Sequence, residues 1–344
     1  FNPWKNRSTL VDRAGEMLAK MERLNTRMHD KLMIVDGRAA VVGGRNIGDH
    51  YFGLNKNYNF HDTDLLGIGH IAGQANGLFD MFWNSEGVVS AGALSTQPDR
   101  EIAREQRRLL QQAVASAPEL ASFTREPRDW TEAFNELAPQ LRPGRSKLVY
   151  DEAADDQITQ TMTSSMFNFF SLAKEELLIQ NAYVIPEDDA IEYLQAWQDA
   201  GVRVRLLTNS LASHDVPAVN SHYEPWRDDI VRAGVDLWEF RADPEIQSSV
   251  IDVAPVKAGF SGLHSKCAVA DRRYVFIGSM NMDPRSRGIN TEMGAMVDSP
   301  ELAEDLARII ERNMSGKNAW HVQIDDAGKL SWHSDTEVLD KQPA

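Results

Sequence analysis

One unit occurs twice in this chain, and that duplication restricts its fold more than any other feature. Residues 28–46 read MHDKLMIVDGRAAVVGGRN and residues 263–281 read LHSKCAVADRRYVFIGSMN. His29, Lys31, Asp36, Gly43 and Asn46 fall at the same offsets as His264, Lys266, Asp271, Gly278 and Asn281. Such self-similarity is the mark of two copies of one supersecondary unit. Within each copy an apolar run, a short polar turn and a second apolar run predict a hairpin, over Leu32–Val35 with Ala39–Val42 and over Cys267–Ala270 with Tyr274–Ile277. Side chains two apart on a strand share a face about 7 Å apart, so each His stands beside its Lys as a nucleophile beside a cation.

The second copy extends upstream. Leu177–Asn181, a helical stretch over Ala190–Ala200, Val202–Thr208, a helical stretch over Pro225–Ala233 and the run Val235–Phe240 alternate as strand and helix. That order predicts a sheet with parallel strands and helices on both faces. Ahead of the first copy only Phe1–Trp4 occupies the place of Val235–Phe240, and no initiator Met is present. The expected fold is therefore α/β with two pseudo-symmetric lobes, each a mixed, mostly parallel sheet flanked by helices. The first lobe is expected to lack roughly a hundred N-terminal residues that would complete it. The expected segments are 1–86 for the remaining part of the first lobe and 87–144 for a connector with an amphipathic helix near Arg100–Ala115. The second lobe spans 145–317 and a polar tail 318–344.

Composition narrows the partners. At 344 residues the chain has room for about two domains of ordinary size. Its 36 Lys+Arg against 51 Asp+Glu leave a net charge of −15, so a phosphate-backbone grip would need a basic groove working against the overall field. Nucleic acid is thus the weaker partner. Cys267 is the sole cysteine, which excludes an internal disulfide, and its place on a strand beside Lys266 points it into the core. No Cys/His set has zinc-ligand spacing. The most apolar stretches, such as Leu65–Ile71, are broken by Gly and His far short of the roughly 18 residues a bilayer span requires. Gly67 and Gly69 mimic part of a dinucleotide fingerprint, but its third glycine is missing.

The paired His-x-Lys-x-x-x-x-Asp motifs, from Phe1 to about Asp298, resemble the phospholipase D superfamily. The resemblance implies that both motifs meet at one active site, with His29, Lys31, Asp36, His264, Lys266 and Asp271 as its signature and no metal or cofactor. His29 would attack phosphorus to give a phosphohistidine, and His264 would protonate the leaving alcohol and then deprotonate the incoming one. Lys31, Lys266, Asn46 and Asn281 would surround the phosphate. A carboxylate downstream of each motif would hold the far nitrogen of a histidine: Glu292 in one case, and Asp64, with Asp62 its close competitor, in the other. The motif aspartates Asp36 and Asp271 would brace the turn after the strand. Paired acid and base roles predict a bell-shaped pH profile.

Flanking stretches narrow the likeness. Gly43–Phe52, Phe79–Ser85, Leu207–Leu211 and Gly278–Gly294 are similar to bacterial cardiolipin synthases, most of all to the type C branch. This implies transfer of a phosphatidyl group to the hydroxyl of phosphatidylglycerol, with phosphatidylethanolamine as the donor in that branch, at a bacterial membrane surface reached peripherally or through an N-terminal anchor. Tyr51, Phe52, Tyr183, Tyr223 and Trp226 are candidates to line an apolar lipid mouth, although core packing accounts for each aromatic equally well. Two alternatives stay open: a hydrolytic phospholipase D or nuclease on the same site, and a non-catalytic lipid-binding scaffold, which two intact motifs argue against.

Overall fold

The computed structural model describes residues 25–85, 88–90, 92, 100–120, 129–154, 157–187 and 189–343. Phe1–Trp4 and most of the stretch from Gly87 to Asp99 lie outside the described residues. The first half opens with β1 (Arg27–Met28), followed by the motif hairpin β2 (Leu32–Val35) and β3 (Ala39–Gly43), then β4 (Tyr58–His61), β5 (Asp64–Ile68) and helix α1 (His70–Trp83). Helix α2 (Arg100–Ala115) follows and buries none of its side chains. The second half runs through β6 (Arg145–Tyr150), α3 (Thr161–Phe170), β7 (Glu176–Asn181), α4 (Ala190–Asp199), β8 (Arg203–Asn209) and β9 (Asp236–Phe240). The second motif brings β10 (Phe260–Leu263), the hairpin β11 (Lys266–Ala270) and β12 (Tyr274–Gly278), β13 (Asn290–Thr291), β14 (Met293–Asp298) and α5 (Pro300–Asn313). Residues set apart as a tail by composition form β15 (Ala319–Ile324), β16 (Leu330–His333) and β17 (Val338–Leu339).

A ten-stranded sheet in the order β17-β16-β15-β9-β8-β7-β11-β12-β14-β6 carries the second half. It is mixed, but its parallel share is smaller than expected. Only β7, β8 and β9, the strands joined by helical crossovers, are mutually parallel. The hairpins β11–β12 and β15–β16 pair antiparallel because short connections reverse the chain, and β15 and β14 also run antiparallel to their neighbours β9 and β12. On one face α3 and α4 pack with Leu177, Ile179 and Phe276. On the other, Ala303, Leu306, Ala307 and Ile310 of α5 recur at one-face helical spacing and cover Val269, Val275 and Ile277. Pro300 starts that helix, and the Ser299 hydroxyl caps it by accepting from the Leu302 N–H.

The first half forms a smaller antiparallel sheet, β2-β3-β5, backed by α1. It docks on the large sheet through an apolar interface of Ala40, Val42, Ile71, Ala75 and Leu78 against Leu148, Met293 and Ala295. Among the described residues no strand pairs with the outer edge of β2, where Met33 is 62% and Val35 47% exposed. The two halves are further stitched by two short parallel pairs, β1 with β13 and β4 with β10. Those two pairs build the site.

Candidate active site

Each short pair joins a strand that leads into a motif histidine to a strand of the other half that leads into a carboxylate. β1 runs into His29 while its partner β13 runs into Glu292, and the register sets Met28 opposite Thr291. β10 runs into His264 while β4 runs into Asp62, with Leu263 opposite His61. One step further along each ladder, the N–H of His29 donates to the Thr291 carbonyl at 3.1 Å and that of His264 to the His61 carbonyl at 2.8 Å. The side chains follow. His29 Nδ1 lies 2.8 and 2.9 Å from the two oxygens of Glu292, and His264 Nδ1 lies 2.7 Å from Asp62 Oδ2. An ionised carboxylate only accepts, so each Nδ1 carries the hydrogen and each Nε2 is left as the reactive nitrogen.

Asp62, and not Asp64, is therefore the partner of His264. The Asp64 carboxylate instead accepts from Arg45 Nε at 2.6 Å, one strand away within the first-half sheet. The physical reason is register: Asp62 ends β4, which pairs across the halves, whereas Asp64 begins β5, which pairs with β3. Burial alone would raise the Asp62 carboxyl, but His264, Lys266 and Arg45 hold it below the usual carboxylate range. Glu292 receives a second bond, from the Ser279 hydroxyl at 2.5 Å.

The lysines sit in the same site. Lys31 Nζ donates to the His29 carbonyl at 2.8 Å and Lys266 Nζ to the His264 carbonyl at 2.5 Å. Burial pushes both down to about 8, against the pull of Glu292 and Asp62, and the charge of Lys266 further lowers Lys31. Burial also brings His264 down to about 4, reinforced by Lys266 and opposed by Asp62, so its imidazole is neutral at neutral pH. Gly44 explains how the halves approach so closely. A Cβ there would lie 2.9 Å from Asp62 Oδ1, 3.1 Å from Lys266 Cδ and 3.2 Å from the His264 carbonyl. The Asn281 Oδ1 is buried without a hydrogen-bond partner, while the Asn46 amide donates to the Tyr51 hydroxyl at 2.7 Å.

The remaining expected residues divide. Asp36 and Asp271 stand at the far ends of β2 and β11, away from the histidines. Both take the left-handed conformation, φ 51°, that starts their hairpin turns. The Asp271 carboxylate accepts the N–H groups of Lys174, Glu175 and Glu176, which fixes the entry to β7, so it braces the chain and touches no reacting group. Tyr51 and Tyr183 do border the site, their rings 5.0 and 6.4 Å from that of His264. Phe52 is exposed next to Arg45. Tyr223 and Trp226 do not line a mouth. Tyr223 is buried, donating to Glu239 beside the buried Arg227, and Trp226 packs against the same core. Apolar room lies elsewhere, in a cavity of about 130 Å³ between α3, α4 and the sheet, which reaches the site at Asn281 and Asp283.

Sequence reasoning missed three contributors. Ser279 carried a signal, since it replaces Gly44 at the same offset of the repeat. Gly44 lies at the matching offset, but the groups it approaches, Asp62, His264 and Lys266, are distant along the chain. Asp215, whose oxygens accept from the Tyr183 hydroxyl at 2.7 and 2.9 Å, lies outside both motifs and carried none. Among the described residues no group of three or more His, Cys, Asp or Glu side chains could hold a metal ion.

Comparison with known proteins adds independent findings. A family model described as "Cardiolipin synthase, PLD-like domain" matches residues 166–314. Cardiolipin synthase C of Escherichia coli (strain K12) is 31% identical over 358 residues, which cover 100% of this chain and 74% of that protein. Cardiolipin synthase 1 of Staphylococcus aureus (strain MRSA252) is 25% identical over 85% of this chain, which spans only 48% of that relative's length. Among solved structures, phosphatidylserine synthase of Haemophilus influenzae Rd KW20 superposes with a TM-score of 0.53 at 12% identity, covering 83% of this chain and 62% of that one, a likeness of fold.

Proposed function

This chain belongs to the phospholipase D superfamily, in its cardiolipin synthase branch, and we propose that it transfers a phosphatidyl group between alcohols through a phosphohistidine. The observation that carries the reading is the crossed pair of histidine–carboxylate contacts, with Lys31 and the buried Lys266 each bonded to the carbonyl of its motif histidine. The Nε2 of His29 forms a bond to phosphorus as the bond to the head-group oxygen breaks, and His264 Nε2 passes a proton to that oxygen. In the second step His264 takes the proton of the incoming hydroxyl as its oxygen displaces His29. Lys31, Lys266, Asn46 and Asn281 surround the phosphate oxygens. Burial keeps His264 neutral at neutral pH. The negative charge of a bound phosphodiester favours the imidazolium, so His264 acquires its acidic proton as substrate arrives.

The proposed substrates are phosphatidylglycerol as acceptor and phosphatidylethanolamine as donor, at a bacterial membrane surface. No described helix is long and apolar enough to cross a membrane. Surface association is supported by α2, where Ile102, Leu109 and Leu110 are exposed and Arg100, Arg104, Arg107 and Arg108 share the same helix. The cavity beside Asn281 supports an acyl chain next to the phosphate. The open edge of β2 supports completion of the first half by further strands from upstream sequence.

Incubating the purified full-length protein with the two lipids tests the proposal. Cardiolipin and free ethanolamine are the expected products, and phosphatidic acid alone would assign the site to hydrolysis. Quenching in denaturant at alkaline pH, where the phosphorus–nitrogen bond survives, should leave the phosphorus label on His29, and label retained in a His29→Ala variant would reverse the roles of the two histidines.

A further inference from the structure

We propose that Asp215, with Tyr183 beside it, is the specificity-determining subsite for a head group bearing an ammonium. This rests on the phosphodiester reading above and adds to it the residues that select the leaving alcohol. Most other carboxylates of the site are engaged: Asp62 and Glu292 hold the histidines, Asp64 pairs with Arg45, Asp283 caps a short helix through the Ser286 N–H at 2.8 Å, and Asp30 accepts from the Thr291 hydroxyl at 2.6 Å, its other oxygen being buried. Asp215 differs from them. Among the described residues no arginine or lysine pairs with it, and its side chain is 19% exposed. Its partners are the Tyr183 hydroxyl and, at 3.8 Å, the His214 ring, which burial brings down to about 4 and so leaves uncharged at neutral pH. One O–H shared between two oxygens leaves most of the carboxylate's roughly four acceptor positions open.

Its location gives the open carboxylate a meaning. Tyr183 lies edge-on to His264, with centroids 6.4 Å apart, and Lys266 Nζ lies 5.6 Å from the centre of the same ring. Asp215 thus stands one side chain away from the imidazole that delivers a proton to the leaving alcohol. On the site side the Tyr183 ring, stacked on that of His214 at 5.3 Å, separates Asp215 from His264, and the Tyr51 ring lies edge-on to the same imidazole at 5.0 Å. A phosphodiester needs cations at phosphorus, which the two lysines supply, yet the ring that Lys266 faces carries its hydroxyl to a carboxylate that no arginine or lysine pairs with among the described residues. An anionic substituent would be repelled there. A primary ammonium, joined by a short linker to the departing oxygen, meets a carboxylate with open lone pairs beside the Tyr183 ring, whose face also attracts cations. An aminoalcohol ester fits both ends of the site at once.

The test compares kcat/KM for phosphatidylethanolamine, phosphatidylcholine and phosphatidylglycerol as donors in mixed micelles, with wild-type protein and Asp215→Asn. The wild type should favour the ethanolamine donor. In Asp215→Asn its ratio to the glycerol donor should fall about tenfold or more, the size of one lost charge-assisted contact, mostly through KM. An unchanged ratio overturns the subsite while leaving the transferase intact. Absence of turnover on every donor by the wild type instead refutes the phosphodiester reading beneath it. A second measurement does not depend on the variant's folding. O-phosphoethanolamine should inhibit the wild type at a concentration about tenfold below that of glycerol 3-phosphate, and equal inhibition would overturn the proposal.

Discussion

Replacing Asp62 by Asn, with Asp64→Asn alongside, is the sharpest probe of the crossed geometry. Asp62 Oδ2 is 2.7 Å from His264 Nδ1, and the side chains of His264 and Asp62 are 6% and 0% exposed, so water cannot stand in for the lost charge. A charge-assisted hydrogen bond of this kind is worth about 1.5–3 kcal/mol. At one decade per 1.36 kcal/mol, Asp62→Asn should lower kcat/KM by about ten- to hundredfold. The sign of the accompanying pH effect follows from the same contact. Asp62 raises the proton affinity of His264, so its loss drives the imidazole still lower and moves the limb that reports it to lower pH. Asp64 touches Arg45 in a partly exposed pair, and such a pair contributes about 0–1 kcal/mol, so Asp64→Asn should cost at most a few-fold in rate. Steady-state kinetics on a short-chain phospholipid, with thermal melts to normalise for folding, measures both. A larger loss from Asp64→Asn than from Asp62→Asn would refute the register argument.

Other expectations follow from the same coordinates. Gly44→Ala adds a Cβ within 2.9–3.2 Å of Asp62, Lys266 and the His264 carbonyl, and should lower kcat/KM at least tenfold with little change in melting temperature, a pattern that equal loss of both would contradict. Lys31 and Lys266 are held at about 8, so substrate KM should rise as pH climbs through that value and the ammonium groups lose their charge. A KM flat to pH 10 would remove them from the phosphate. Asp271→Ala removes the acceptor of three backbone N–H groups, which should cost about 1–3 kcal/mol of stability and a few degrees of melting temperature, with turnover per folded molecule unchanged.

The parts of the site that could be read from sequence are those fixed by local offsets. His29, Lys31, His264 and Lys266 follow from hairpins whose apolar and polar residues alternate in sequence, and the Asp36 and Asp271 turns follow from the same pattern. Asp62 did not follow, because the path from Gly43 to Asp62 is longer than that from Gly278 to Glu292. Counting from the motif therefore cannot choose between two nearby aspartates. What chooses is a parallel pairing between segments about two hundred residues apart, as in Leu263 opposite His61. Tyr223 and Trp226 went to the core for a similar reason: the buried Arg227–Glu239 pair that draws Tyr223 inward is a tertiary contact with no local mark. The extent of parallel pairing was overestimated because strand–helix alternation is visible along the chain, whereas the antiparallel return of β15 after α5 depends on which sheet edge is free.

Because each imidazole takes its orientation from the opposite half, the two proposed catalytic groups have no independent off state. A hinge displacement of even 1 Å would stretch the His29–Glu292 and His264–Asp62 contacts together, and both rings would lose tautomer and aim in the same movement. Anything that loosens the apolar seam between Val42 and Met293 therefore acts on the chemistry as a single latch. A half of this protein separated from its mate would keep a histidine and a lysine while losing the carboxylate that makes them competent.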